Sequence, residues 1–186
     1  MIEQIREEVL NAINEYKETS SDHYDFRNNH IKYVVSESIN LAKEYNADLE
    51  IVELGALLHD IALIKNVGDK TDHHINGANI AKEILEKYNY DEEKKNRVIN
   101  CVYNHRSSKN ATNIEELCVC DADILAHFDN IPMLFYSAFV RSNVSMNDIK
   151  DWLNKFFEKD YNDLSDKTKE KFKDRYNAIC DIVIGK

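Results

Sequence analysis

The sequence predicts an all-α domain, and three observations carry that expectation. Apolar residues recur with helical period in nearly every segment. Glycine (4) and proline (1) are too scarce for the many tight turns of a sandwich or barrel. No run of strand-like alternation survives between the helical stripes. A chain of 186 residues with 43% hydrophobic content suits a single compact domain, 1–186, of roughly eight helices around a real core.

The elements follow in order. Ile2, Ile5, Val9, Ile13 and Tyr16 make one stripe, which "TSSD" (19–22) breaks. A second helix runs from about Asn28 to Tyr45, with Ile31, Val34, Val35, Ile39 and Ala42 inward. "NAD" (46–48) is a turn, and Asp48 is a good N-cap for the next helix, which carries "VELGALLHDIALIK" (52–65). After the loop "NVGDKTD" (66–72), Asp72 is the cap residue of a helix ending near Tyr88. Asp91, followed by Glu92 and Glu93, opens another through about His105. "RSSKNATN" (106–113) is polar, and Asn113 starts a helix through Asp129. Pro132 suits the first turn of the following helix. Asn147 caps a helix whose Ile149, Trp152, Leu153, Phe156 and Phe157 read as core. Ser165 begins the last one, with Phe172, Tyr176, Ile179 and Val183 inward.

Charge narrows the function. A net charge of −10 argues against a polymeric nucleic-acid partner, whose phosphates need a basic face. A small phosphorylated substrate would need a local reversal of that field, and a bound cation is the simplest source. The N-terminal "MIEQIREEVLNAI" does not read as a signal peptide, and no apolar run reaches membrane-spanning length. Four cysteines without a CxxC pair fit reduced thiols and a cytoplasmic location. The sequence leaves a homodimer open.

His59 and Asp60 interrupt the apolar run at 52–65. A buried carboxylate without a partner costs several kcal/mol, so the pair needs an explanation. One is a hydrogen-bonded His-Asp pair. Another is a divalent ion, for which imidazole nitrogen and carboxylate oxygen are both good donors. Adjacent residues on a helix lie about 100° apart, so both reach one ion most easily where the helix ends or bends, and regularity fades near Lys65 to Gly68. Other donors also sit in or beside apolar helices: His30, His73, His74, His105, His127, and Asp121 and Asp123 in "CVCDADILAHF".

The order His30, His59-Asp60, Asp123 resembles the signature of the HD superfamily of metal-dependent phosphohydrolases. "NNHIKYVVSESINLA" resembles its first helix, "ELGALLHDIA" its central motif and "CDADILAHF" its closing helix. The resemblance spans about residues 20–130, with residues 131–186 left as C-terminal helices packing on that core. It implies that His30, His59, Asp60 and Asp123 hold one divalent ion (Mn, Fe, Co, Ni or Zn, with Mg also open). Asp121 then reads as a carboxylate behind the site or a helix-start residue. A second ion would be held by His73 in "HHINGA", with His74 the near alternative, and by His105; the same imidazoles are otherwise phosphate contacts.

The implied chemistry is hydrolysis of a phosphate ester or anhydride by activated water. Asp60 is the candidate to accept the water's proton, and Asp69 is a candidate second carboxylate. Lys65, Lys70, Arg106 and Lys109 are candidate phosphate contacts, Arg106 foremost because it follows His105, and Arg27 weakest. The expected partner is a small phosphorylated metabolite, foremost a nucleotide. A non-catalytic module holding metal and nucleotide is the alternative, and a di-iron oxygenase is a third reading.

Overall fold

A computed structural model describes residues 2–185. Among the described residues there is no strand, and eight helices have ten or more residues. They are α1 (Ile2–Thr19), α2 (Lys32–Tyr45), α3 (Leu49–Leu58), α5 (His73–Lys87), α6 (Glu92–Asn104), α7 (Ile114–Asp129), α9 (Ile149–Asp163) and α10 (Asp166–Val183). Two shorter helices, α4 (Ile61–Ile64) and α8 (Ile131–Tyr136), complete the series. Among the described residues, no helix is long and apolar enough to cross a membrane.

Several ends form for the expected chemical reasons. Asp48 accepts from the amides of Glu50 and Ile51, Asp91 from Lys94, Asn113 from Glu116 and Ser165 from Thr168. Each satisfies an amide that the first helical turn leaves unpaired. Two expected caps differ. Asp72 makes no capping bond, because a 3-10 turn at Lys70–Asp72 already leads the chain into α5. The last helix-start before Trp152 falls at Asp148 rather than Asn147, and its side chain makes no capping bond.

α3 is the buried spine. Ile51, Val52, Leu54, Ala56, Leu57 and Leu58 are all buried, which explains its nearly unbroken apolar sequence. α2 packs most extensively on α7, and α3 fills the space between α2, α6 and α7. Gly55 makes this approach possible: a Cβ there would meet the Cys101 Cβ of α6 at 2.6 Å. Opposite this core, Phe157 of α9 lies against Phe128 of α7, with ring centroids 5.2 Å apart, so the C-terminal helices share the same core.

Asp121 belongs to this packing. Its carboxylate accepts from the Ser165 amide at 2.9 Å and from the hydroxyls of Ser165 and Thr168 at 2.5 and 2.6 Å. Burial alone raises its pKa, and these bonds only partly oppose the rise. It fastens the start of α10 to α7 and does not face the histidines.

Candidate metal centre and cavity

Helix geometry breaks where the donors sit. α3 ends at Leu58, and Asp60 leaves helical geometry (φ −101°, ψ 17°) before α4 begins. The irregularity expected near Lys65 to Gly68 therefore starts five residues earlier, at the His-Asp pair itself, and lets both side chains face one side. His30 lies on a π-helical turn, Arg27–Ile31, ahead of α2. Such a wide turn displaces a side chain from the regular helical position, and π-turns concentrate at functional sites.

Four donors converge. His30 Nε2 lies 3.1 Å from His59 Nε2, 3.0 Å from Asp123 Oδ1 and 3.7 Å from Asp60 Oδ2. His59 Nε2 lies 3.6 Å from Asp60 Oδ2 and 3.7 Å from Asp123 Oδ1. The other Asp60 oxygen faces a second group, 3.5 Å from His73 Nε2 and 3.9 Å from His105 Nε2, and those two nitrogens are 2.9 Å apart. Donors about 2.0–2.2 Å from one ion lie about 3.0–3.5 Å from each other, so the spacing fits two cation sites sharing Asp60.

The donor chemistry passes the same test. His59, His73 and His105 each donate Nδ1–H to a carbonyl three residues back, at 2.7, 2.7 and 2.6 Å. A carbonyl can only accept, so in the neutral rings Nε2 carries a bare lone pair. Burial, with His59 adding to it, pushes the His105 pKa down to about 4, so this ring is neutral at pH 7. The close His73–His105 contact thus brings the bare lone pair of His105 within 2.9 Å of His73 Nε2, an arrangement that suits a shared cation. Burial favours protonation of Asp60 and Asp123, yet the neighbouring histidines outweigh it and hold both carboxyls low.

A cavity of about 370 Å³ opens over this cluster. His127 of α7 lines it and gives Nδ1 to Asp160 of α9 at 2.8 Å. Burial opposes charge on His127, but Asp160 outweighs it and the pKa is pushed up to about 9. Lys70, Arg106, Arg141 and Lys159 also line the cavity. Arg141 is tied to Asp22 at 2.8 Å and lies over the Tyr24 ring, and Lys159 is tied to Asp163 at 3.0 Å. Lys70 and Arg106 make no ion pair among the described residues; the Arg106 guanidinium donates to the Thr71 carbonyl at 2.8 Å. These cations set positive charge beside the Asp60, Asp123 and Asp160 carboxylates of the same lining.

Other expected residues lie elsewhere. Asp69 is exposed and absent from the cavity lining, where it only precedes the 3-10 turn. Lys65 is exposed on the side of Glu8, whose carboxyl feels its charge. Positive φ at Asn66 (54°) and Gly68 (71°) breaks helical geometry between α4 and Asp69, after which Lys70 reaches the cavity lining. His74 stays outside both donor groups and sits beside Tyr103. Lys109 pairs with Asp163, and Arg27 borders a separate apolar cleft between α1 and α2. Trp152 and Phe156, expected in the core, are half-buried in the cavity wall, with Lys159 and Asp160 on the same face of α9. Positions i, i+4, i+7 and i+8 share a face whether it meets a core or a cavity, so their spacing could not separate the two. Arg141 carried no local signal.

The His127–Asp160 pair has a measurable consequence. A raised histidine pKa stabilises the fold fully below the unfolded value of 6.5, and that contribution is lost as pH climbs through about 9. In EDTA, the melting temperature is expected to fall across this window, and Asp160→Asn should flatten that fall. An identical pH profile for the two proteins would remove the pair from the account.

The HD domain family model matches residues 27–127. Ribonuclease Y from Treponema denticola is 36% identical over 97 residues, covering 52% of this chain and 18% of the ribonuclease. An uncharacterised protein of Clostridium beijerinckii is 33% identical over 75 residues, or 40% of this chain and 48% of that protein. The chain thus spans about half or less of these relatives. A predicted HD superfamily hydrolase from an uncultured Thermotogales bacterium superposes with a TM-score of 0.67 at 19% identity, over 97% of this chain and 88% of that one. Bacillus subtilis YpgQ in complex with ADP gives 0.66 at 22% identity, over 98% and 94%. At these identities the two structures speak for the fold.

Proposed function

The chain belongs to the HD-domain family, and from that premise we propose a metal-dependent phosphohydrolase acting on a small nucleotide. The observation that carries the reading is the pair of donor groups sharing Asp60 at the floor of a cavity lined by cations. His30, His59, Asp60 and Asp123 would hold one divalent ion, and Asp60, His73 and His105 a second. Bound there, such an ion lowers the pKa of water toward neutrality and polarises a phosphoryl oxygen.

The remaining roles fall to this chain's own groups. Asp60 spans both donor groups, and its carboxyl, held low, stays ionised to orient them. Lys70 and Arg106 neutralise phosphate oxygens at the mouth, and Arg106 offers bidentate donors. His127, fixed by Asp160, presents a charged ring to the same space. Asp69 and Lys65, turned away from the cavity, have no part in this scheme.

The bond is open to direct test. Nucleoside mono-, di- and triphosphates, cyclic nucleotides and a short oligoribonucleotide would be assayed with Mn²⁺, Co²⁺, Fe²⁺ or Mg²⁺ supplied singly. We expect metal-dependent release of phosphate or pyrophosphate from a mononucleotide. The likeness to ribonuclease Y favours a second reading, an RNA phosphodiester, and cleavage of the oligoribonucleotide alone would put it first. Metal binding without turnover of any substrate would instead favour a regulatory module.

A further inference from the structure

Three ring-to-ring steps lead out of the donor cluster. His30 stacks on His127 with centroids 5.5 Å apart and planes 14° apart. His127 meets Phe156 edge-on at 5.3 Å, and Phe156 stacks on Trp152 at 5.2 Å and 17°. The last two rings stand on α9, outside the segment that the family model matches. They line the same cavity as Asp60 and Asp123 but are only half-buried, so planar apolar surface remains turned toward its space. A cavity whose lining joins acidic donors, cations and paired flat rings suits a ligand with anionic and flat aromatic ends.

We propose that α9 is the base-recognition element of this protein, with Trp152 as the platform on which the planar base of a nucleoside phosphate stacks. This rests on the phosphohydrolase reading for the position of the phosphates, which point down the ring ladder to His30 and Asp60. Every base has a π-face, so stacking selects for a base while tolerating its identity, and the larger purines gain most. The platform therefore acts as a specificity determinant, separating nucleotides from phosphates that lack a base.

Trp152 is the only tryptophan in the sequence, so the protein reports on its own platform. The full chain, loaded with Mn²⁺, would be titrated with the methylene-bridged analogue of ADP, and separately with methylenediphosphonate and ribose 5-phosphate. Saturable change of tryptophan emission is expected with the nucleotide analogue alone. By calorimetry, Trp152→Ala should bind that analogue about tenfold or more weakly, and Trp152→Phe should keep most of the affinity. Trp152→Ala should leave hydrolysis of inorganic tripolyphosphate unchanged, a control that also shows the variant to be folded. Equal losses on nucleotide and tripolyphosphate would overturn the platform, since a structural role affects both. Tripolyphosphate turnover without an emission response to nucleotide would overturn it too, while leaving the hydrolase reading intact. A saturable nucleotide response with no turnover of any substrate would uphold the platform and remove the hydrolase.

Discussion

Asp60→Ala is expected to lower turnover by about 10³-fold or more, because several kcal/mol of charge stabilisation depend on the ions that this side chain helps to hold. Its two oxygens divide between the groups: one faces His30 and His59, the other His73 and His105. Its loss leaves His73 and His105 with no carboxylate in their group. Metal content after dialysis should fall with activity. Thermal melting gives an independent readout. An ion at a hundred times its Kd stabilises the folded state by about 2.7 kcal/mol. For a chain of this size that raises the wild-type melting temperature by roughly 5–10 °C. Mn²⁺ should produce this rise in the wild type and little of it in Asp60→Ala. A variant that keeps its metal, its Mn²⁺-induced rise and its turnover would show that Asp60 is only a buried partner of its histidines.

The helices were legible because their causes are local. Asp48, Asp91, Asn113 and Ser165 cap helices through their own side chains, a signal that lies within three residues. The juxtaposition of His30, His59, Asp60 and Asp123 was legible for a different reason, their resemblance to the HD signature. Polar groups that interrupt an apolar stripe must meet a partner, but that signal alone offered Asp121 as readily as Asp123, and Asp121 meets Ser165 and Thr168 instead. Nearness along the chain was the poorer guide. Lys65 and Asp69 follow the His-Asp pair closely, yet both are exposed and neither lines the cavity, while Lys70 does. Conversely Arg141, Lys159 and Asp160 reach the cavity only through tertiary packing, from elements beyond the matched segment. Trp152 and Phe156 show the limit most clearly. Hydrophobic periodicity identifies the face of α9 that is not turned to solvent, and says nothing of whether that face meets another helix or an open cavity.

Phe157→Ala separates these two parts of the molecule. The ring is fully buried against Phe128, and truncating a buried phenylalanine costs about 3–5 kcal/mol through lost transfer energy and the void it leaves. In a domain of this length that lowers the melting temperature by roughly 10 °C. The loss falls on the seat of α9, whose adjoining face carries Trp152, Phe156, Lys159 and Asp160. All the metal-donor candidates lie on earlier elements and pack through α2, α3, α5, α6 and α7. The variant is therefore expected to melt early yet keep its Mn²⁺-induced stabilisation, with KM for nucleotides raised more than kcat is lowered. Asp60→Ala should show the reverse pattern, losing the metal response and turnover while α9 stays seated. If Phe157→Ala abolished the Mn²⁺ response as well, the wall and the donor cluster would be one cooperative unit, and α9 would act on metal binding rather than on substrate choice.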